Sequence, residues 1–152
     1  MSDIRVRLIE AKDLDNLRKW KNANKAGFFY KKNITIKQQE KWFADYLKRN
    51  KAEKDFMYIV EYKGVDVGCI AYRIIYGVID IYNVMLGNKE YEGKKIISAA
   101  CKDLCKHLES TYDLDIMAIV LSDNTKAINW YLKNNWRITE EFEDHRVLRY
   151  EG

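Results

Sequence analysis

The chain has 152 residues, 47% of them apolar and 33% charged, with a formal net charge of +4. That length can bury a real core without metal or disulfide staples. No apolar run is long enough to span a bilayer, and Met1-Ser2-Asp3-Ile4-Arg5 lacks the apolar centre of a signal peptide. Three cysteines with no Cys-x-x-Cys pair make no disulfide framework, and Cys101 and Cys105 read as small buried residues rather than ligands. Lysines are scattered, with no long or Arg-rich basic run, which gives nucleic-acid binding little support. The expectation is one cytoplasmic domain over 1–152, with no metal, membrane or nucleic-acid partner.

In chain order, Ile4 to Ile9 alternates as a first strand. Asp13 offers an N-cap to a helix carrying Leu14, Leu17, Trp20 and Lys21 and ending near Asn22 to Asn24. The loop Gly27 to Lys32 holds three consecutive aromatics, Phe28, Phe29 and Tyr30, which suit half-buried packing or the wall of a pocket. Thr35-Ile36-Lys37-Gln38 is a capping box opening a second helix with Ile36, Trp42, Phe43, Tyr46 and Leu47. Phe56 to Tyr62, Val67 to Tyr72 and Val78 to Leu86 are apolar, β-rich runs joined at Lys63-Gly64 and Tyr76-Gly77, an antiparallel meander.

A basic, Gly-containing loop, Gly87 to Lys95, then leads into a helix patterned by Ile96, Ile97, Ala100, Leu104 and Leu108. A helix opening this way leaves backbone N–H groups aimed outward with the helix dipole behind them, a seat for phosphate. Lys89, Lys94 and Lys95 add charge there. A strand, Leu114 to Leu121, should lie parallel to the 78–86 strand because a strand–helix unit precedes it. Asp123 or Asn124 caps a last helix with Ala127, Ile128, Tyr131 and Leu132 on one face, and two strands near Arg137 to Phe142 and Arg146 to Tyr150 close the chain.

Two stretches carry a resemblance. Glu90-Tyr91-Glu92-Gly93-Lys94-Lys95 falls where the GNAT superfamily of acyl-CoA-dependent N-acyltransferases has Gln or Arg, two residues, Gly, one residue, then Gly or Ala. Gly93 matches; Glu90 and Lys95 depart. Asn124-Thr125-Lys126-Ala127, Tyr131 and Asn135-Trp136 are similar to that family's Asn-x-x-Ala-x-x-x-Tyr-x-x-x-Gly-Phe. Asn135 can supply the left-handed conformation that glycine usually gives a helix C-terminus.

The resemblance covers essentially the whole chain. It implies a mixed α/β fold, a mostly antiparallel sheet of about seven strands with one splayed parallel pair, and about four helices. It implies direct acetyl transfer from acetyl-CoA to a primary amine, without metal. Tyr91, Gly93, Lys94, Lys95 and Ile96 would seat the pyrophosphate, Val84 and Leu86 would hydrogen-bond the pantetheine arm, and Asn124 would contact the cofactor. Tyr131 becomes the general acid. No base is assigned, although Asp80 acting through a water is one route.

The Lys19-Trp20-Lys21-Asn22 segment, with Ile34-Thr35 and Trp42, resembles a branch acting on nucleotide-linked amino sugars, polyamines and ribosomal-protein N-termini. Trp20, Asn22, Phe29 and Tyr30 would then face the acceptor, with an amino-sugar nucleotide as the favoured small-molecule amine. The alternatives are a protein N-terminus, a polyamine, or a non-catalytic acyl-CoA-binding module. A homodimer through a sheet edge is compatible with either.

Overall fold

The computed structural model describes residues 3–152. Strand β1 (Ile4–Leu8) is followed by α1 (Leu14–Ala23), α2 (Ile36–Lys51) and the strands β2 (Asp55–Tyr62), β3 (Val65–Ile75) and β4 (Val78–Leu86). Then come α3 (Ile96–Thr111), β5 (Ile116–Leu121), α4 (Thr125–Lys133), β6 (Trp136–Glu141) and β7 (His145–Tyr150). The seven strands form one sheet in the order β1-β2-β3-β4-β5-β7-β6. Only β4 and β5 run parallel; every other pair is antiparallel. This is the GNAT fold expected from the sequence.

Local chemistry explains most of these elements. The β2–β3 and β3–β4 hairpins turn through Lys63-Gly64 and Tyr76-Gly77, all four residues at positive φ, as two-residue turns between twisted strands require. At the start of α2, Thr35 Oγ1 accepts from Gln38 N (3.1 Å) and Thr35 N donates to Gln38 Oε1 (2.9 Å), a complete capping box. Asp13 stands before α1 but does not cap it. It ends a 3-10 turn, and its carboxylate accepts from Glu10 N and from both Arg7 Nη atoms.

The sheet divides the core into two layers. Val60, Ile70, Tyr72, Ile79 and Ile81 face α3, where Ile97, Cys101, Leu104 and Leu108 meet them. On the opposite face Met57, Ile59, Cys69, Ala71 and Met85 pack with Leu17 and Tyr46 of α1 and α2. Each fully buried aliphatic here contributes about 1.5–3 kcal/mol relative to exposure. Tyr46 is 1% exposed, and its hydroxyl accepts from Met57 N at 3.0 Å, which satisfies the buried phenol. Ile36 and Leu47, read as part of the apolar face of α2, are 63% and 49% exposed; the buried stripe runs instead through Gln39 and Tyr46.

Two irregularities in β4 place the site. Ala71 pairs with Tyr82 and Cys69 with Met85, so Asn83 and Val84 oppose the single residue Ile70 in a β-bulge. Asn83 sits at φ 50°, and its carbonyl accepts from Cys69 Sγ at 3.0 Å. On its other side β4 pairs with β5 only from Ile79↔Ile116 to Ile81↔Ala118. Beyond that the two parallel strands part.

Candidate active site

The parting of β4 and β5 opens a cleft at their C-terminal ends. Val84 and Leu86 lie past the last β4–β5 pair and are half-buried, so the edge they share faces the gap. Four connecting segments surround it. Lys89 Nζ donates to Asn24 Oδ1 (3.3 Å), joining the loop after β4 to the end of α1. A Cβ on Gly27 would lie 3.1 Å from Asn124 Nδ2, which brings the α1–α2 loop against the start of α4. Phe29 of the same α1–α2 loop meets His145 edge-on, ring centroids 6.4 Å apart.

The loop before α3 has the features of a phosphate seat. After a 3-10 turn at Lys89–Tyr91, Gly93 takes φ 86° and Lys95 φ 58°, and α3 begins with no side-chain cap. Among the described residues the N–H groups of Gly93, Lys95, Ile96, Ile97 and Ser98 have no acceptor. Donors clustered at the positive end of a helix dipole suit a pyrophosphate, so the residues present fit the acyl-CoA arm. Lys94 and Lys95 are exposed, and Tyr91 packs edge-on against Tyr62 at 5.7 Å. The left-handed backbone at Lys95 is one that glycine adopts without steric cost and lysine does not.

Helix α4 is pinned to this loop. Asn124 Oδ1 accepts from Ala127 N (3.2 Å), so Asn124 and not Asp123 is the cap, and Trp130 Nε1 donates to Ser98 Oγ (2.9 Å) in the first turn of α3. Asn135 takes φ 69°, the left-handed role its position requires. Tyr131 is 6% exposed, held edge-on between Trp130 and Trp136 at 4.9 and 5.0 Å. Burial pushes its phenol far above the ordinary range. It therefore stays protonated at neutral pH, a donor and not a base.

Of the residues expected at the acceptor, Trp20 packs over Gly87, where the loop between β4 and α3 begins. Asn22 exchanges two hydrogen bonds with the Ile34 backbone, 2.6 and 3.1 Å, and braces the loop that carries the aromatics. Phe29 and Tyr30 are 60% and 49% exposed. Asp80 is not a solvated strand carboxylate. It is 7% exposed, accepts from Arg73 Nε at 2.8 Å, and lies in the still-paired stretch of β4. Burial pushes its carboxyl up, and Arg73 offsets part of that.

One residue with catalytic chemistry reads from the sequence only as an exposed histidine of the last turn or strand, and the fold makes it half-buried. His145 opens β7 opposite Leu121, the last residue of β5, and so stands at the mouth of the cleft. Its Nδ1 lies 2.6 Å from Asp144 Oδ1, and Phe142 stacks on its ring at 4.6 Å. An imidazole donating from Nδ1 to a carboxylate presents Nε2 as an acceptor. The adjacent Asp144-His145 pair was the one signal available in the sequence. Among the described residues no cluster of His, Cys, Asp and Glu is arranged to hold a metal ion, and no helix is long and apolar enough to cross a membrane.

Comparison with known proteins agrees with this geometry. The family model described as an acetyltransferase (GNAT) domain matches residues 3–137. The chain belongs to the GNAT acetyltransferases. No curated protein matches the sequence significantly, but many solved structures share the fold. A domain from Methanocaldococcus jannaschii DSM 2661 superposes with a TM-score of 0.83 at 18% identity, covering 98% of both chains. FdhC, a nucleotide-linked sugar GNAT, gives 0.81 at 17% identity, over 98% of this chain and 86% of its own. RimL, a ribosomal L7/L12 alpha-N-protein acetyltransferase in complex with coenzyme A, gives 0.78 at 14% identity, over 98% and 92%.

Proposed function

We propose that this chain, as a single domain over 1–152, transfers the acetyl group of acetyl-CoA directly to the primary amine of a small molecule, with an amino-sugar nucleotide as the favoured acceptor. The observation that carries this reading is the splay of β4 and β5 beyond Ile81 and Ala118, flanked by the uncapped start of α3. Gly93, Lys94, Lys95 and Ile96 would hold the pyrophosphate, Val84 and Leu86 the pantetheine arm, and Asn124 would contact the cofactor beside the loop. The bound thioester supplies an activated carbonyl. The bulge at Asn83 and Val84 lies just past the last β4–β5 pair, beside the gap where that carbonyl would lie.

The proton balance assigns two side chains. The attacking amine must be neutral, and we infer that His145 Nε2 takes its proton while Asp144 stabilises the imidazolium that results. As the new C–N bond forms and the C–S bond breaks, Tyr131 would give its phenolic proton to the departing thiolate, and the second proton that the nitrogen sheds would restore the phenol, directly or through solvent. Tyr131 carries that proton at neutral pH, and its match to the family's tyrosine position supports the role.

The free, buried state of Cys69, Cys101 and Cys105 suits a reducing compartment, and we place the protein in the cytoplasm.

The test is Tyr131→Phe, which removes one oxygen from a packed ring. Thiol release should fall about 10²–10⁴-fold, the range of general acid catalysis, at unchanged acetyl-CoA affinity. A non-catalytic acyl-CoA-binding module, which the mismatched Glu90 and the strained Lys95 favour, instead gives tight binding and no turnover on any amine.

A further inference from the structure

A second concave feature lies between α1, α2 and the loop that joins them. It is a cavity of about 210 Å³ lined by Lys21, Tyr30, Ile34, Gln38, Gln39 and Trp42. Gln39 is 5% exposed, and its Nε2 is buried with no hydrogen-bond partner among the described residues. Native interiors seldom leave an amide in that condition unless something else serves it.

Lys21 is the second anomaly. Its ammonium is drawn out of water, which pulls its pKa down, and no carboxylate is among the groups acting on it. The Phe28 ring lies 5.1 Å from its Nζ. Lys21 lies near Cys69, whose Sγ donates to the Asn83 carbonyl at the β4 bulge. The Lys21 end of the cavity is therefore on the side of that bulge, which lies beyond the last β4–β5 pair. Tyr30 and Trp42 give the remaining lining flat aromatic surface, and among the described residues no acidic side chain lines the cavity.

An unpaired amide donor and an ammonium with no carboxylate partner among the described residues, both on residues that line one space, call for a ligand rich in acceptors and negative in charge. A polycation would set a second positive charge against Lys21 with no carboxylate to receive it. We propose that this cavity is an acceptor subsite that binds an oxyanion, carboxylate or phosphate, carried by the amine substrate, with Lys21 Nζ and Gln39 Nε2 as its donors. The proposal rests on the acetyltransferase reading above, and it separates the acceptor classes that the sequence leaves open: amines bearing an anionic group are taken, and polyamines are refused.

The experiment titrates CoA-loaded protein calorimetrically with two matched pairs and a polycation. The pairs are 2-aminoethyl phosphate against ethanolamine, and 4-aminobutyrate against butylamine; the polycation is spermidine. At least one anionic amine should bind about tenfold more tightly than its uncharged-tail partner, and the pair that does so identifies phosphate or carboxylate. Spermidine should bind more weakly than that anionic amine. Lys21→Met should abolish the preference at unchanged CoA affinity. Gln39→Glu keeps the shape of the side chain and adds a charge, so it should do the same, and it covers the case in which Lys21→Met does not fold.

Equal affinities within both pairs, silence from both anionic amines, tighter binding of spermidine, or a preference that survives both substitutions overturns the subsite. Failure of CoA to load the protein overturns the acetyltransferase reading and the subsite with it. That failure shows before any amine is added.

Discussion

The indole of Trp20 occupies the space that a side chain on Gly87 would need: a Cβ built there falls 2.1 Å from the nearest ring carbon. Helix α1 is thereby seated on the residue that follows β4 and starts the loop before α3. Gly87→Ala must push the indole away or shift the loop. Overpacking of this kind costs about 1–3 kcal/mol, and it should appear as a lower urea midpoint at unchanged slope. In the double variant with Trp20→Leu the two costs should fail to add, because each residue is the other's partner.

His145 is the base in this account, with Asp144 holding its ring. His145→Gln keeps a polar side chain at the mouth of the cleft but cannot carry a proton. It should lower kcat about 10²–10⁴-fold, with little change in KM for acetyl-CoA. Asp144→Asn, which leaves the imidazole in place, should lower kcat less. A His145→Gln variant with wild-type kcat assigns the proton to another group.

The network around Arg7 predicts acid sensitivity. Arg7 bonds Asp13 at 2.8 Å through each Nη, Glu61 at 2.7 Å and Asp66 at 3.2 Å, and so ties β1 to β2, β3 and the approach to α1. Burial alone would raise the Asp13 carboxyl; the Arg7 guanidinium and Glu10 N–H outweigh it and hold the group below the usual range. A folded pKa below the unfolded one means that the native state binds fewer protons. The stabilisation is complete above the unfolded value of about 3.9 and drains as pH falls through the folded value. Asp13→Asn should cost about 1.5–3 kcal/mol near neutrality. The gap between the two proteins in urea midpoint should close as pH is lowered below about 4.

Lys95 stands in the left-handed region at φ 58° with nothing capping the helix it opens. A side chain there costs about 1–2 kcal/mol of strain, partly offset by the extra unfolded-state freedom of glycine. Lys95→Gly should therefore stabilise the protein by up to about 1 kcal/mol, read from thermal or urea unfolding, and Lys95→Ala should not.

How much of this was legible follows from how local each signal is. The meander of β2, β3 and β4 announced itself because apolar runs met at Lys63-Gly64 and Tyr76-Gly77. Helix α2 showed its capping box within four residues, and Asn135 adopts the backbone its place after α4 demands. What stayed hidden depends on partners remote in sequence. Asp13 looked like a cap because its real partner, Arg7, is on a strand. The insertion of β7 between β5 and β6 leaves no trace in periodicity. Trp20 and Asn22 carry family-like identities, but what they touch, Gly87 and the Ile34 backbone, only the fold supplies. His145 gains its place from Leu121 across the sheet and from Phe29 on a distant loop.

The most direct test of the central claim is calorimetric titration of acetyl-CoA into the wild type and Gly93→Trp. A Cβ at Gly93 meets nothing within 4 Å, so the indole would project into the open space where the pyrophosphate is placed. The account predicts saturable binding of one acetyl-CoA per chain below millimolar concentration, abolished by Gly93→Trp while the thermal melt stays cooperative. A wild type that does not bind at millimolar acetyl-CoA, or a variant that binds as the wild type does, contradicts it.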